Sequence, residues 1–377
     1  MRRVAVAAAV FGWSHAADAS PWSVTGEAGA EYDTNVQRVE TGPGLDTPPI
    51  SSPVIRVGAR TDKRGELLGG TYALELSDLT RIALNSAVPS EDVTLVGGDL
   101  RWVHPIGDRP VGIGFGLFAL DDFPLDDPYG ARTFRNLGAD VLFTAHDGDD
   151  KHFTLAFGER SFVYKPPTEP AHLYDYTGPA INTRMDFTLW QPQDRTQSLE
   201  LVATAGFESR TYVVPAYANA CPPGEDSDDP MCSAATALAR HDRASRAGVE
   251  LTYSGREILQ IGYQFELIDS NSFGNSFARH RILASGTVGI GKVYLSLLAI
   301  LQLDQYLDGL LVENNLVNQS FASIEDEDRS SAQLHVTRKI SSAWSVEGRI
   351  AYWRNIGNTM DLAFSRAVVY GGVTCTY

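Results

Sequence analysis

Three cysteines, four methionines and no long apolar run in 377 residues set the first limits on this chain. Three cysteines cannot hold a fold of this size together as a disulfide scaffold. The longest uncharged apolar stretch, Val293 to Leu303, is bounded by Lys292 and Asp304 and falls well short of the roughly 18 residues that a membrane-spanning helix needs. Positive charge is scarce too: 31 Lys and Arg stand against 47 Asp and Glu, for a net charge of −16. A chain of that sign does not seek nucleic acid or anionic lipid. Catalytic signatures are missing as well. There is no Gly-x-Ser-x-Gly elbow, and the eight histidines are scattered without a His-Glu-x-x-His or Cys/His spacing. No enzyme, cofactor or metal is expected. The acidic runs Asp121-Asp122, Asp126-Asp127, Glu225 to Asp229 and Glu325 to Asp328 lack the regular Asp/Asn and Gly spacing of a calcium loop and read as solvated loop charge.

What the chain does have begins at its first residues. Arg2 and Arg3 form a basic start, Val4 to Trp13 an apolar core, and Ala17-Asp18-Ala19 a small-x-small cleavage site. These are the parts of a secretory signal peptide, so residues 1–19 are expected to be removed and residues 20–377 to form one domain. No cysteine follows the cleavage site to accept a lipid, and removal leaves 29 basic against 46 acidic residues, a net charge of −17. In an oxidising compartment Cys221 and Cys232, eleven apart in one acidic loop, could close a small disulfide. Cys375 is left over.

The rest alternates with period two. Reading alternation with turn chemistry as punctuation gives strands near 22–33, 54–63, 67–81, 93–105, 111–122, 132–146, 151–163, 175–191, 196–212, 242–254, 257–269, 277–290, 293–307, 329–340, 344–355 and 365–377. Strands 111–122 and 257–269 show it well: Val111, Ile113, Phe115 and Leu117 alternate with glycines, and Leu259, Ile261, Tyr263 and Phe265 with Gln260, Gly262, Gln264 and Glu266. Links after even strands are tight, at Arg64-Gly65-Glu66, Gly107 to Pro110, Asp147 to Asp150, Pro192 to Asp194, Ser254-Gly255-Arg256, Gly291-Lys292 and Ser341-Ser342-Ala343. Links after odd strands are usually longer, notably 34–53, 213–241 and 308–328. Short turns on one side and long loops on the other describe a transmembrane, antiparallel, up-and-down all-β barrel. About 16 strands are expected, with 14 or 18 as alternatives, and both termini on the periplasmic side of a bacterial outer membrane.

A secreted β-sandwich would show the same period. Two further features favour the barrel. The register brings Trp22, Trp102, Phe143, Phe153, Trp190, Tyr253, Tyr294, Trp344 and Tyr377 to one level as an aromatic girdle, although strict alternation turns Trp190 inward, so a slipped parity or a lumen-facing ring is expected there. Tyr377 also ends an alternating strand. Gly372, Cys375 and Tyr377 suit the C-terminal signal read by barrel-assembly machinery.

If the apolar face meets lipid, the opposite face lines a lumen. The acids placed there are Glu27, Glu31, Glu75, Asp99, Asp140, Asp186, Glu200, Glu208, Glu250, Glu266 and Glu347; the bases are Arg56, Arg60, Arg101, Arg160, Arg184, Arg210, Arg246, Arg281, Lys339 and Arg349. Neither sign wins, so this is not the single-sign ring of a strongly ion-selective pore. Mixed charges pair across strands, and the polar wall that results suits polyhydroxylated substrates. Sixteen strands enclose room for an aqueous channel.

The end of the first strand, Gly29-Ala30-Glu31-Tyr32-Asp33-Thr34-Asn35-Val36, and the last, Val368-Val369-Tyr370-Gly371-Gly372-Val373, resemble the ends of Gram-negative outer-membrane barrels, the exopolysaccharide-export porins above all. The resemblance implies a conduit for secreted polysaccharide, working with outer-membrane lipid, barrel-assembly machinery and periplasmic export components, and carries over no catalytic residue. The tetratricopeptide helices that precede the barrel in several such families are absent. A general diffusion porin is the nearest alternative. An outer-membrane hydrolase is another, and it would show a Ser or His cluster at the outer rim.

Overall fold

The computed structural model describes residues 22–39, 48–125, 133–148, 150–164, 175–220, 233–307, 329–356 and 363–377. They form sixteen strands: β1 (Trp22–Asp33), β2 (Ser52–Leu67), β3 (Gly70–Ala83), β4 (Val93–Pro105), β5 (Val111–Pro124), β6 (Phe134–Asp147), β7 (Lys151–Tyr164), β8 (Tyr176–Trp190), β9 (Ser198–Asn219), β10 (Ser233–Ser254), β11 (Glu257–Ser270), β12 (Phe277–Ile290), β13 (Val293–Tyr306), β14 (Ser330–Lys339), β15 (Trp344–Arg354) and β16 (Ser365–Thr376). Each strand pairs antiparallel with its neighbours in sequence, and β1 pairs with β16, so the sheet closes into a barrel. Closure satisfies every backbone ladder without leaving an edge.

Alternation gives the wall two chemistries. On β12, Arg279 and Arg281 are buried while Ile282 is exposed; on β1, Glu31 and Asp33 are buried while Tyr32 is exposed. The outward set includes Ile55, Val57, Ile113, Phe115, Leu117, Val141, Ile261, Leu297, Leu301, Leu334, Ile350 and Val369. An apolar outer band around a closed sheet is the architecture of an integral outer-membrane barrel. Asp78 and Glu159 interrupt the band, since both stand exposed with outward parity on β3 and β7.

Both described chain ends, and the short turns, lie at one end of the barrel, the turn end; the opposite end is the loop end. Tyr377 exchanges backbone hydrogen bonds with Val24 on β1, at 3.0 and 2.9 Å. Trp22, Trp102, Phe143, Phe153, Tyr253 and Trp344 share the outward parity near the turn end. Tyr294 does not: it pairs with Gly289 and Thr337 on the inward parity, and the Lys339 ammonium lies 5.1 Å from its ring. Trp190 is outward and 49% exposed. An irregularity between Thr188 and Trp190 sets it opposite the outward Leu199, because one extra residue in a strand reverses the facing of the residues beyond it.

Two strand boundaries depart from the sequence reading. The first tight turn lies at Leu68 and Gly69, with φ of 52° and 71°, the pair of left-handed residues that a type I′ hairpin requires. Gly65 instead continues β2, where the Tyr72 ring of β3 covers it; an added Cβ would come within 3.0 Å of that ring. Within the segment 213–241, expected as a loop, residues 213–219 and 233–241 are strand, since β9 and β10 are 22 residues each. Their extension pairs Ala235 with Tyr217 and Ala239 with Pro215, with register shifts at Ala239. Pro215 and the alanines of this stretch hide the alternation there. The expected signal peptide, residues 1–19, and the expected disulfide between Cys221 and Cys232 lie outside the described residues.

Candidate functional site: the inner wall and its loop-end clasp

The inner wall is held by ion pairs, some within one strand and some between neighbouring strands. Arg56 donates to Glu27 at 2.8 Å and Arg60 to Glu75 and Asp62, both at 3.0 Å. Arg160 holds Asp140 at 2.7 Å, Arg184 holds Asp186 at 2.6 Å, and Arg101 lies 3.3 Å from Asp99. Glu208 sits between Arg210 at 3.1 Å and Arg246 at 3.2 Å, and Arg246 also holds Glu266 at 2.7 Å. Glu31 lies 3.7 Å from Arg349, and Glu347 shares a 2.9 Å hydrogen bond with His335. Arg281, Lys339 and Glu250 lie on the same inward parity, at Gln302, Ser345 and Val202 of the neighbouring strands. The sequence-predicted lumen residues are therefore spread around the whole circumference.

Several residues of this wall were missed by the sequence reading. Arg81, Arg366, Arg240, Asp242, Arg279 and Asp304 all take part in close ion pairs on the inner face. Parity was a usable signal for them: Arg81 lies six residues from Glu75 on β3, and Arg366 four from Tyr370 on β16.

The wall is not uniformly polar, contrary to expectation. Near the loop end four buried apolar clusters lie on its inner face. Val93, Leu95, Phe134, Phe162 and Tyr164 form one across β4 to β7; Ala244, Ile268 and Phe277 form another with Tyr306; Ala351, Trp353, Phe364 and Val368 a third; Val36, Val54 and Val88 a fourth. Val54 shares the inward parity of Arg56, so Val36 and Val88, which pack on it, lie inside the mouth. By the same argument Phe364 lies inside the mouth against Trp353 and Val368.

The Tyr-Asp-Thr-Asn-Val segment ties this end together. Asp33, with no exposed surface, accepts from Arg366 at 3.1 and 2.6 Å and from Arg81 at 3.2 Å. The Asn35 N–H donates to Asp33 at 3.0 Å. Thr34 and Ala367 bond reciprocally, the Thr34 N–H to the Ala367 carbonyl at 3.0 Å and the Ala367 N–H to Thr34 Oγ1 at 2.8 Å. The Asn35 amide donates to the Val39 carbonyl at 2.9 Å and to the Ser365 carbonyl at 3.3 Å, and accepts from the Val39 N–H at 3.1 Å. One buried carboxylate thus joins β1 to β16 and β3, with two guanidinium groups compensating its charge.

The seam has a second fastening further down. Gly29 and Gly372 lie opposite each other on β1 and β16, and the Tyr370 ring lies over both, where a Cβ on either residue would run into it. The Arg56 and Arg349 guanidinium groups lie 5.3 and 5.5 Å from that ring, within cation–π range. Gly372 therefore has a packing role at the closing strand pair. Cys375 is a free, half-buried thiol facing outward, and Tyr377 is exposed.

Toward the turn end, β10 to β14 carry uncharged polar groups inward. Thr252 pairs with Gln260, which lies opposite Ser285; Thr287 pairs with Ser296, which lies opposite His335. Ser285 donates to Gln260 at 3.0 Å and Thr287 and Ser296 share a 2.9 Å bond. At the loop end Ser270 donates to Asp242 at 2.6 Å, but His241 bonds Thr211 on the outward parity. Among the described residues these three do not form a Ser–His–Asp relay, and no group of three or more potential metal ligands occurs.

No family model matches the chain, and no curated protein matches it in sequence. Solved structures do. Salmonella typhi OmpF in complex with daunomycin is 11% identical, covering 94% of this chain and 97% of that one, with a TM-score of 0.44. OmpT, an outer membrane protein of Vibrio cholerae, in a loop L8 deletion mutant is 11% identical over 95% and 100%, with a TM-score of 0.43. A mutant of the Rh. blastica porin is 9% identical over 94% and 99%, with a TM-score of 0.39. The likeness is to the barrel plan, while the architecture itself rests on the closed strand order of this chain.

Proposed function

We propose that the protein is a passive outer-membrane conduit for export of a secreted polysaccharide, with its turn end in the periplasm and no catalytic step of its own. The observation that supports this reading is the inner wall toward the turn end. There Arg60, Arg101 and Arg184 are each paired with a carboxylate, and a strip of amide and hydroxyl groups from Thr252 through Gln260 and Ser285 offers donors and acceptors that match sugar hydroxyls. Balanced charge neither traps nor repels a neutral polymer. The resemblance of the strand ends to exopolysaccharide-export porins points the same way. Periplasmic export components would deliver the chain, and assembly machinery would read Gly372, Cys375 and Tyr377.

A general diffusion porin is the second reading, favoured by the hydrated Arg101–Asp99 pair at the turn end. Deleting the protein separates the two. Export requires that surface polysaccharide be lost while small-solute uptake is unchanged; reduced uptake with normal surface polysaccharide would replace export by diffusion.

A further inference from the structure

Two histidines stand directly opposite each other at the turn end of the β6–β7 hairpin. His146 of β6 pairs with His152 of β7, and their ring centroids are 6.2 Å apart with the planes tilted by 33°. The His146 N–H turns away from β7 and donates to the Pro110 carbonyl at 2.9 Å. Toward β7 the two histidines are therefore a non-hydrogen-bonded pair, the kind whose side chains stand closest. Both lie on the inward parity, since the neighbouring Ala145 and Phe153 share the outward parity of Phe143, and both are exposed. One register step on, Asp147 and Lys151 form a 2.9 Å ion pair on the outward parity that helps close the hairpin. Other histidines on the barrel stand singly: His241 bonds Thr211, His280 bonds Tyr263 and His335 bonds Glu347.

The spacing suits a shared metal ion. With a metal–nitrogen distance of about 2.0–2.1 Å and roughly 1.1 Å from nitrogen to ring centre, two imidazoles on one ion have centroids at most about 6.4 Å apart, and about 5 Å apart at a tetrahedral angle. The observed separation falls inside that span, and side-chain rotation alone can shorten it. The charges around the pair balance. Asp186 of β8 lies opposite His152, and Arg184, opposite Thr154, holds it at 2.6 Å. Imidazole donors favour zinc, copper and nickel over magnesium and calcium, which take oxygen ligands. Two imidazoles are fewer ligands than a closed zinc centre has, so water completes the shell.

We propose that His146 and His152 form a two-imidazole site for a divalent transition-metal ion, zinc or copper, at the turn-end mouth of the lumen. The bound ion ties β6 to β7 across the last inward pair of their hairpin. The site stands whether the barrel exports a polymer or admits small solutes.

The test is titration of the refolded full-length barrel, free of any affinity tag, with Cu²⁺, Zn²⁺ and Ca²⁺ by calorimetry, as wild type, His146→Asn, His152→Asn and His104→Asn. His104 faces outward against Trp102 and serves as the control. Heat-modifiable migration on gels shows that each variant is a closed barrel. One Cu²⁺ or Zn²⁺ should bind per wild-type barrel, and Ca²⁺ should not compete. Each change at the pair should weaken binding by at least about tenfold, since even losing a group that only orients a ligand costs on the order of ten- to a hundredfold, and His104→Asn should not. Electron paramagnetic resonance of the Cu²⁺-loaded wild type should show coupling to imidazole nitrogen, and Zn²⁺ should raise the temperature at which its folded band is lost. Equal affinity in the wild type and both pair variants would overturn the site. So would a Cu²⁺ spectrum without nitrogen coupling, which needs no variant to fold, or Ca²⁺ binding as readily as Zn²⁺.

Discussion

The two ends of the inner wall use the same chemistry to opposite effect. At the loop end, Arg366 and Asp33 are 3% and 0% exposed, tied by hydrogen bonds as short as 2.6 Å. At the turn end, Arg101 and Asp99 are 60% and 37% exposed, and 3.3 Å apart. Both are arginine–aspartate pairs on the lumen side of a strand. What differs is the covering: apolar clusters and inserted segments exclude water around the first, and nothing comparable surrounds the second. A lumen charge is therefore structural or functional according to depth, not residue type.

The largest expected effect breaks the buried end. Asp33→Ala takes the carboxylate from the buried Arg366, while Arg81 keeps Glu31 at 2.6 Å, and should cost about 3 kcal/mol, the lower end of the range for breaking a buried pair. Denaturant unfolding of the barrel in lipid bilayers, followed by tryptophan fluorescence, measures it. A loss under about 1 kcal/mol, the range of an exposed pair, would erase the contrast between the ends.

Much of the fold was legible because the chemistry of a barrel is local. Alternation, the glycine turns at Gly107, Gly148 and Gly291 and the aromatic level each depend on residues near in sequence, and β1, β4 and β12 appear where alternation put them. The failures have physical causes. Gly65 looked like a turn, but an aromatic neighbour on β3 makes it a strand residue. Tyr294 was placed in the girdle by its height and proved to face Lys339. The clasp was least legible of all. Parity puts Asp33 and Arg366 on the inner face, but only the folding of distant segments into the mouth determines that they are dry.

A smaller change probes the covering itself. Val88→Ala removes two methyl groups from a site without exposed surface, where Val36 and Val54 close around it, and should cost about 1.5–3 kcal/mol. Hydrogen exchange localises the effect. The amides of Val36, Val39 and Val88, all hydrogen-bonded at the loop end, should lose protection, while that of Val24, at the seam's turn end, keeps it. Uniform loss across both ends would mean that the barrel opens as one unit and that the clusters are not a separate layer.

The smallest stability effect belongs to the exposed end, and there the reading shifts to conduction. Arg101→Ala removes one partner of a hydrated pair, which should change stability by at most about 1 kcal/mol. It also uncovers Asp99, with Glu75 opposite it on β3, so the turn-end vestibule becomes locally negative. Reversal potentials across a salt gradient should therefore move toward cation preference, and 1 M salt, with a screening length of roughly 3 Å, should abolish the shift. The Asp33 cluster should not respond to salt in this way, because water and ions do not reach it. A salt-insensitive Arg101→Ala phenotype would place the turn-end pair in the same dry class as the clasp, and the distinction between a buried clasp and a hydrated vestibule would fail.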